Sequence, residues 1–521
     1  MIRSFSRAII LTLICTAMSL PVFAYPLDGY ENTGILRLEY QRKIQEGEIE
    51  GRKRPGSGEL LPLDMVRLRM LEHKNLDLPT ADPTLSAQIK ALIGPDVDRY
   101  GLSLLDLSDV SNPRYAAWKD TTRQNPGSVG KVLVALAIFQ ALADAHPDNI
   151  ENRKKILRET IVTADDFSVS DHHTIGFYDT ETWRQTRRPM QKGDKGSLYI
   201  YLDWMMSPSS NSAAAMLMRE LILMAHYGAE YPPAAEESAR FFSETPRKRL
   251  SEIFLKAIQE PITRNGLDIE EIRQGSFFTR QGKKLVPGTS SYATPRALTL
   301  FMLRMEQGRL VDEWSSLEIK RLLYVTERRI RYASSGALRP SAVYFKSGSL
   351  YSCEPEEGFV CKKYHGNKRN YMNSVAIVET AAGQDRLFYI VSVLSNVLRK
   401  NSATDHRDLA RAVHSRLLDE HPAKPLEPGE KDPKLTYGEG FIGYESERAQ
   451  LTLAVDTQEM LIALGYEIGS IDGRIGRNTR KAIMDFQTSQ GLAADGKPSK
   501  QTLEAMQRVA QEKGLARPFG N

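Results

Sequence analysis

The hydrophobic pattern changes character several times along the 521 residues. Ala8 to Leu20 is an apolar run behind Arg3 and Arg7, and it ends at the small-x-small triplet Val22-Phe23-Ala24. That layout predicts a secretory signal peptide over residues 1–24, with the mature chain starting at Tyr25. The run is short for a membrane span, so no stable membrane insertion is expected after cleavage. Cys15 follows Ile14 where a lipoprotein cysteine wants a small residue, which argues against a lipid anchor. From 25 to 94, a helical period at Ile35, Leu36, Leu38 and Tyr40 is followed by a charged loop, Glu48 to Pro55. A second amphipathic stretch comes at Met65, Leu68 and Leu71, and the whole reads as a lead segment packing on the domain downstream of it.

At Tyr100 to Asp106 the pattern turns strand-like, and a turn at Ser111-Asn112-Pro113 followed by Tyr115 to Trp118 predicts a hairpin. Val132 to Phe139 is apolar all round, the signature of a helix buried in a large core. A second hairpin is expected from Asn373–Glu379 and Arg386–Leu394 around Ala381-Ala382-Gly383-Gln384, and a helix from Thr404 to Leu418 closes the unit. Strands at both ends with helices between predict one α+β domain over residues 95–418, with the late hairpin joining the early one in a single sheet. Pro422, Pro425, Pro428 and Pro433 then mark a semi-extended linker, residues 419–449. The remaining module, 450–510, holds an internal repeat. Asp472-Gly473 and Asp495-Gly496 are each followed six residues after the glycine by a threonine, Thr479 and Thr502. Asp-Gly supplies a turn and each threonine region opens an amphipathic helix, which with Thr457 to Leu464 makes a three-helix unit.

Composition changes this picture little. With 41% hydrophobic and 26% charged residues the chain is of the soluble globular class. The net charge of +5 drops by the two signal-peptide arginines, and no basic run interleaves with aromatics, so nucleic acid is not an expected partner. Outside the signal peptide only Cys353 and Cys361 remain. In an oxidising compartment, such a pair with seven residues between them forms a local disulfide. No cysteine or histidine spacing fits a metal site, and neither a metal nor a cofactor is expected. His172-His173 reads as a loop pair.

Candidate chemistry starts at Pro126-Gly127-Ser128-Val129-Gly130-Lys131, which runs straight into the apolar helix. Residues three apart share a helical face, so the Lys131 ammonium reaches the Ser128 hydroxyl, with the helix N-terminus adding free N–H groups beside it. A serine and a lysine held this way suit a nucleophile and its base. Two short motifs lie downstream. Ser209-Ser210-Asn211 precedes a small-residue helix and by itself reads as a capping turn. Lys346-Ser347-Gly348-Ser349 lies in a strand-like run. There Lys346 and Gly348 point one way, Ser347 points the other, and the glycine lets another backbone approach. By itself it reads as an exposed edge strand.

Taken in order, Ser-x-x-Lys, Ser-x-Asn and Lys-Ser-Gly resemble the three signatures of the penicillin-recognising serine enzymes, the serine β-lactamases and DD-peptidases. The nearest form is the class A β-lactamase type. Gly127-Ser128-Val129-Gly130-Lys131, Asn211-Ser212-Ala213-Ala214 and the helix start Ala293-Thr294-Pro295-Arg296 carry that likeness. The resemblance implies an antiparallel sheet with helices on both sides, and roles for named residues. Ser128 is acylated, Lys131 takes its proton and Ser209 relays a proton to the leaving nitrogen. Asn211 orients the substrate amide, Lys346 and Ser347 bind the substrate carboxylate, and the N–H groups of Ser128 and Ser349 form the oxyanion hole. One departure stands out. The class A glutamate that activates the deacylating water sits in Glu-x-x-Leu-Asn, and no such sequence occurs between Asn211 and Lys346. Glu244 continues as Thr245-Pro246-Arg247, and Glu260 reaches Asn265 with the wrong spacing. A long-lived acyl-enzyme is therefore expected with β-lactams.

The C-terminal module resembles the peptidoglycan-binding domain of bacterial wall hydrolases. Leu464-Gly465-Tyr466, Ile471-Asp472-Gly473-Arg474-Ile475-Gly476, Thr479, Phe486-Gln487 and Gly491-Leu492 carry that likeness, and the resemblance implies that Asp472, Gly473, Arg474, Gly476, Thr479, Phe486 and Gln487 serve the binding. The expectation is a periplasmic or secreted, wall-associated serine hydrolase with peptidoglycan and β-lactams as partners. It would act on D-Ala-D-Ala-like peptides, β-lactams or both. A true β-lactamase and a non-catalytic wall-binding scaffold are the alternatives.

Overall fold

The computed structural model describes residues 26, 28–51, 57–59, 61–327, 329–380, 387–422, 444–468 and 475–515. The expected signal peptide, most of the expected linker, the Ala381–Gln384 turn, and Asp472, Gly473 and Arg474 lie outside the described residues. Five strands form an antiparallel sheet: β1 (Tyr100–Asp106), β2 (Arg114–Trp118), β3 (Ala342–Ser352), β4 (Arg369–Thr380) and β5 (Leu387–Asn396), in the order β2-β1-β5-β4-β3. The late hairpin joins the early one through β1 and β5, with Leu102 opposite Val393 and Leu104 opposite Val391. Strand alternation sends Val375 and Ile377 into one core and Ala376 and Val378 into another, so helices cover both faces. The fold is α+β.

On the larger core sit α1 (Lys131–Ala145), α2 (Asn211–Tyr227), α3 (Pro295–Glu306) and α4 (Glu313–Tyr324). The stretch Gly127–Ala145 is long and apolar enough to cross a membrane, yet it is mostly buried as the central helix. It is apolar on every side because protein surrounds it on every side. The lead segment shares this core through Leu38, Leu61, Leu63, Val66 and Met70. The second amphipathic stretch expected there is not a helix, only short 3₁₀ turns at Leu63–Met65 and Leu71–His73. Two of its amides are taken by a tertiary partner: Arg69 N–H donates to Glu306 Oε2 (2.9 Å) and Met70 N–H to Glu306 O (3.1 Å). Close by, Lys320 of α4 is fully buried, with Nζ 2.6 Å from Glu379 Oε1 of β4, 2.7 Å from Glu306 Oε1 of α3 and 2.5 Å from Arg67 O.

The opposite face is closed by α5 (Ala403–Glu420). His406 on α5 is buried against the sheet, its ring nitrogens paired with Ser374 Oγ (3.2 Å) and Ser395 Oγ (2.9 Å). Burial, aided by the Arg331 charge, pushes its pKa from 6.5 down to about 3. Proton counting gives the sign. Above pH 6.5 the ring is neutral in both states and its contribution is fully present. As pH falls from there towards about 3, the unfolded chain takes a proton that the folded chain refuses. Stability should drop by about 1.4 kcal/mol per pH unit from this residue. Urea unfolding of wild type beside His406→Gln checks it: the wild type should lose more between about pH 6 and pH 4. Equal losses would contradict it.

The C-terminal module is built from α6 (Tyr444–Ala463), α7 (Arg477–Ser489) and α8 (Lys500–Glu512) around Leu461, Ile483, Phe486 and Met506. Helix α6 starts inside the segment read as linker.

Candidate active site

The nucleophile candidate sits on a single 3₁₀ turn, Gly127–Gly130, that feeds α1. Gly127 has φ +55°, and a Cβ there would lie 2.8 Å from Ser349 N. A Cβ on Gly348 would lie 2.0 Å from Pro126 O and 3.0 Å from Ser128 N. Two glycines thus let the turn and β3 meet backbone to backbone, which brings the amides of Ser128 and Ser349 to the same place.

Lys131 opens α1 and is completely buried. Its Nζ lies 3.1 Å from Ser128 Oγ and 3.2 Å from Ser209 Oγ, and donates to Ser209 O (2.5 Å) and Asn211 Oδ1 (2.9 Å). The Phe278 ring centroid is 5.0 Å from the same Nζ. Ser209 stands just ahead of α2 in a left-handed conformation, φ +65°, a strained state for a residue with a Cβ. Ser210 caps α2 by accepting from Ala213 N–H (3.1 Å). On the other side, Lys346 Nζ is 2.9 Å from Ser209 Oγ. Ser128, Lys131, Ser209, Asn211, Lys346 and Gly348 therefore come together from a turn, two helices and an edge strand. Ser347 and Ser349 line the same cleft.

Residues that the motifs did not single out complete the cleft. Arg331 is buried with φ +55° and donates to Gly348 O and Asn373 O, holding a cation behind β3. Tyr364 lines the mouth. Asp171 reaches across from a loop. Its Oδ2 accepts from Asn211 N–H (2.7 Å), Ser212 N–H (3.0 Å) and Ser210 Oγ (3.1 Å), so it ties down the start of α2. Burial opposes the charge. Even so, the His173 hydrogen bond and charge, with the Ser212 amide, hold this carboxyl well below the usual carboxylate range. His173, read as one of a loop pair, is in a loop, but its ring is part of the cleft wall beside Ser128 and Ser209. The spacing from Asp171 to His173 was a visible signal, while the forty residues to α2 hid its destination. No carboxylate lines this cleft among the described residues.

Cys353 and Cys361 are joined, with Cα atoms 6.1 Å apart. They close a loop at the end of β3. In the C-terminal module, Thr479, Phe486 and Gln487 are buried. Gln487 Nε2 donates to Asp495 Oδ1 (2.9 Å) and its Oε1 accepts from Gly496 N–H (2.9 Å), pinning the second Asp-Gly turn. These three side chains hold the module together, and Gly476 is exposed at the start of α7.

Residues 454–506 match the family model described as "Putative peptidoglycan binding domain". No curated protein matches the chain. Among solved structures the chain is similar to a β-lactamase from Sphaerobacter thermophilus DSM 20745, at 14% identity over 65% of this chain and 99% of that one, TM-score 0.41. It is similar to a mutant of PBP-A solved as an acyl-enzyme complex with penicillin G, at 14% identity over 66% and 100%, TM-score 0.42. A third is TLA-3 extended-spectrum β-lactamase, at 12% identity over 64% and 98%, TM-score 0.42.

Proposed function

We propose that this chain is an exported, wall-associated serine hydrolase of the penicillin-recognising type, forming an acyl ester on Ser128 with D-Ala-D-Ala-like peptides or with β-lactams. The observation that carries it is a single buried amine nitrogen, Lys131 Nζ, set between two hydroxyls at 3.1 Å (Ser128) and 3.2 Å (Ser209). As the neutral amine, Lys131 Nζ takes the Ser128 proton while Oγ bonds to the carbonyl carbon, becoming the ammonium that supplies Ser209 with the proton it passes on. The oxyanion that forms is held by the amides of Ser128 and Ser349. Ser209, between Lys131 and Lys346, passes a proton to the departing nitrogen as the C–N bond breaks. Asn211 orients the acyl amide, and Lys346 with Ser347 meets the substrate carboxylate.

A wall-binding module on the same chain raises the enzyme's effective concentration at its polymer, which favours a wall peptide as the physiological substrate. The test is release of free D-alanine from a peptide ending in D-Ala-D-Ala. Wild type should release it and Ser128→Ala should not. Hydrolysis of penicillin with no D-alanine release would move the assignment to the β-lactamase alternative. Neither activity would move it to the scaffold alternative.

A further inference from the structure

Any acyl-serine on Ser128 needs a base to bring in water. The Glu-x-x-Leu-Asn segment that carries the carboxylate base in class A β-lactamases does not occur between Asn211 and Lys346. On the Lys131 side of the site the Phe278 ring stands over the ammonium, and the cleft lining holds no acid among the described residues. It does hold one imidazole. Asp171 Oδ1 lies 2.6 Å from His173 Nδ1 and also accepts from the backbone N–H groups of His172 (2.8 Å) and His173 (3.1 Å). The carboxylate is itself anchored to the start of α2, so the ring's position is set by the same helix that carries Asn211. With Nδ1–H given to Asp171, the ring presents Nε2 as the acceptor, and no hydrogen bond occupies that nitrogen among the described residues.

We propose that His173, oriented by Asp171, is the base that activates the deacylating water in this enzyme. The inference rests on Ser128 being the acylated residue. Water gives its proton to His173 Nε2 as its oxygen bonds to the ester carbon. The tetrahedral oxyanion sits on the amides of Ser128 and Ser349. On collapse the ester C–O bond breaks, its electron pair returns to Ser128 Oγ, and the proton on His173 passes to that oxygen. The products are the free acid and the starting serine. An aspartate-held imidazole facing a serine ester is an arrangement whose chemistry is general.

The groups facing the ring are Asp171 and His172 on its own loop, Lys131 on α1, and Lys346, Arg331 and Tyr364 across the cleft. Burial, together with the Lys131 charge, outweighs the Asp171 bond and holds the imidazole below its ordinary 6.5, so the base is free at neutral pH.

The experiment tracks a fluorescent penicillin bound to Ser128, first its attachment and then, after excess label is removed, its loss. In His173→Gln, labelling should still go to completion, while loss of label slows by about 10²-fold or more. Wild-type release should rise with pH through one ionisation centred below about 6.5 and then level off, and the variant should lack that step. Release from His173→Gln at the wild-type rate would overturn the proposal. So would a wild-type profile that is flat, or that keeps rising above neutrality as a lysine base would require. Dependence on added zinc, abolished by a chelator, would overturn it in favour of a metal held by Asp171, His172 and His173, whose ligand atoms lie within 4.8 Å of one another. Absence of any label on wild type is a different result, and it sinks the acyl-serine reading instead. Should His173→Gln fail to label because it misfolds, the wild-type pH profile still decides.

Discussion

Lys131→Met is expected to slow acylation of Ser128 by about 10²- to 10⁴-fold, the range that a positioned base contributes. Methionine keeps most of the volume and the apolar stem, so the buried start of α1 remains filled. What disappears is the one group that touches Ser128 Oγ, Ser209 Oγ, Ser209 O and Asn211 Oδ1 together. Those acceptors also lose a buried donor, which adds a stability cost of about 1–3 kcal/mol. The two effects separate experimentally: the labelling rate under saturating penicillin reports the chemistry, and a urea melt reports the fold. A labelling rate equal to wild type in a folded Lys131→Met would remove the base from the mechanism.

Lys320→Met is expected to destabilise the folded state by about 3–5 kcal/mol without touching the cleft. Lys320, Glu306 and Glu379 are all essentially removed from water, at 0%, 0% and 2% side-chain exposure. The ammonium makes an aligned hydrogen bond to Glu379 and a charge contact to Glu306, and it also caps Arg67 O from the lead segment. Burial holds the Glu306 carboxyl above its ordinary range, with the nearby Glu379 charge adding to the rise and Lys320 opposing it. Removing the cation leaves two carboxylates facing one another in a dry site, and one of them must take up a proton or α3 and β4 must part. A double variant, Lys320→Met with Glu379→Gln, should recover part of the loss. If the single variant melts with wild type, the network contributes nothing to folding.

The parts of this molecule that were legible in its sequence are those whose physics is local. Ser128 and Lys131 are three residues apart on one helical ramp, and the alternation in β4 and β5 assigns each side chain to a face without knowledge of its partner. The glycine of Lys346-Ser347-Gly348 announced a close backbone approach, though not that the approaching chain would be Pro126 to Val129. Other features required the fold. Met65 to Leu71 has good helical periodicity, but Glu306 on α3 takes the amides of Arg69 and Met70. Lys320 reads as one more polar position on an amphipathic helix, and only packing reveals that its polar side faces two glutamates. Thr479 and Gln487 are polar residues of the repeat that only the fold shows to be buried, with Gln487 Nε2 donating to Thr502 Oγ1. Asp171 and His173 are the sharpest case, two polar loop residues whose meaning lies forty positions downstream.

The central claim is that Ser128 becomes an ester, and intact-mass spectrometry of the mature protein over time with a penicillin tests it most directly, beside Ser128→Ala. A mass increase equal to one whole penicillin, mapped to Ser128, absent from the variant and decaying at a rate set by His173, is the expected result. An unchanged mass at every time point in wild type would contradict it.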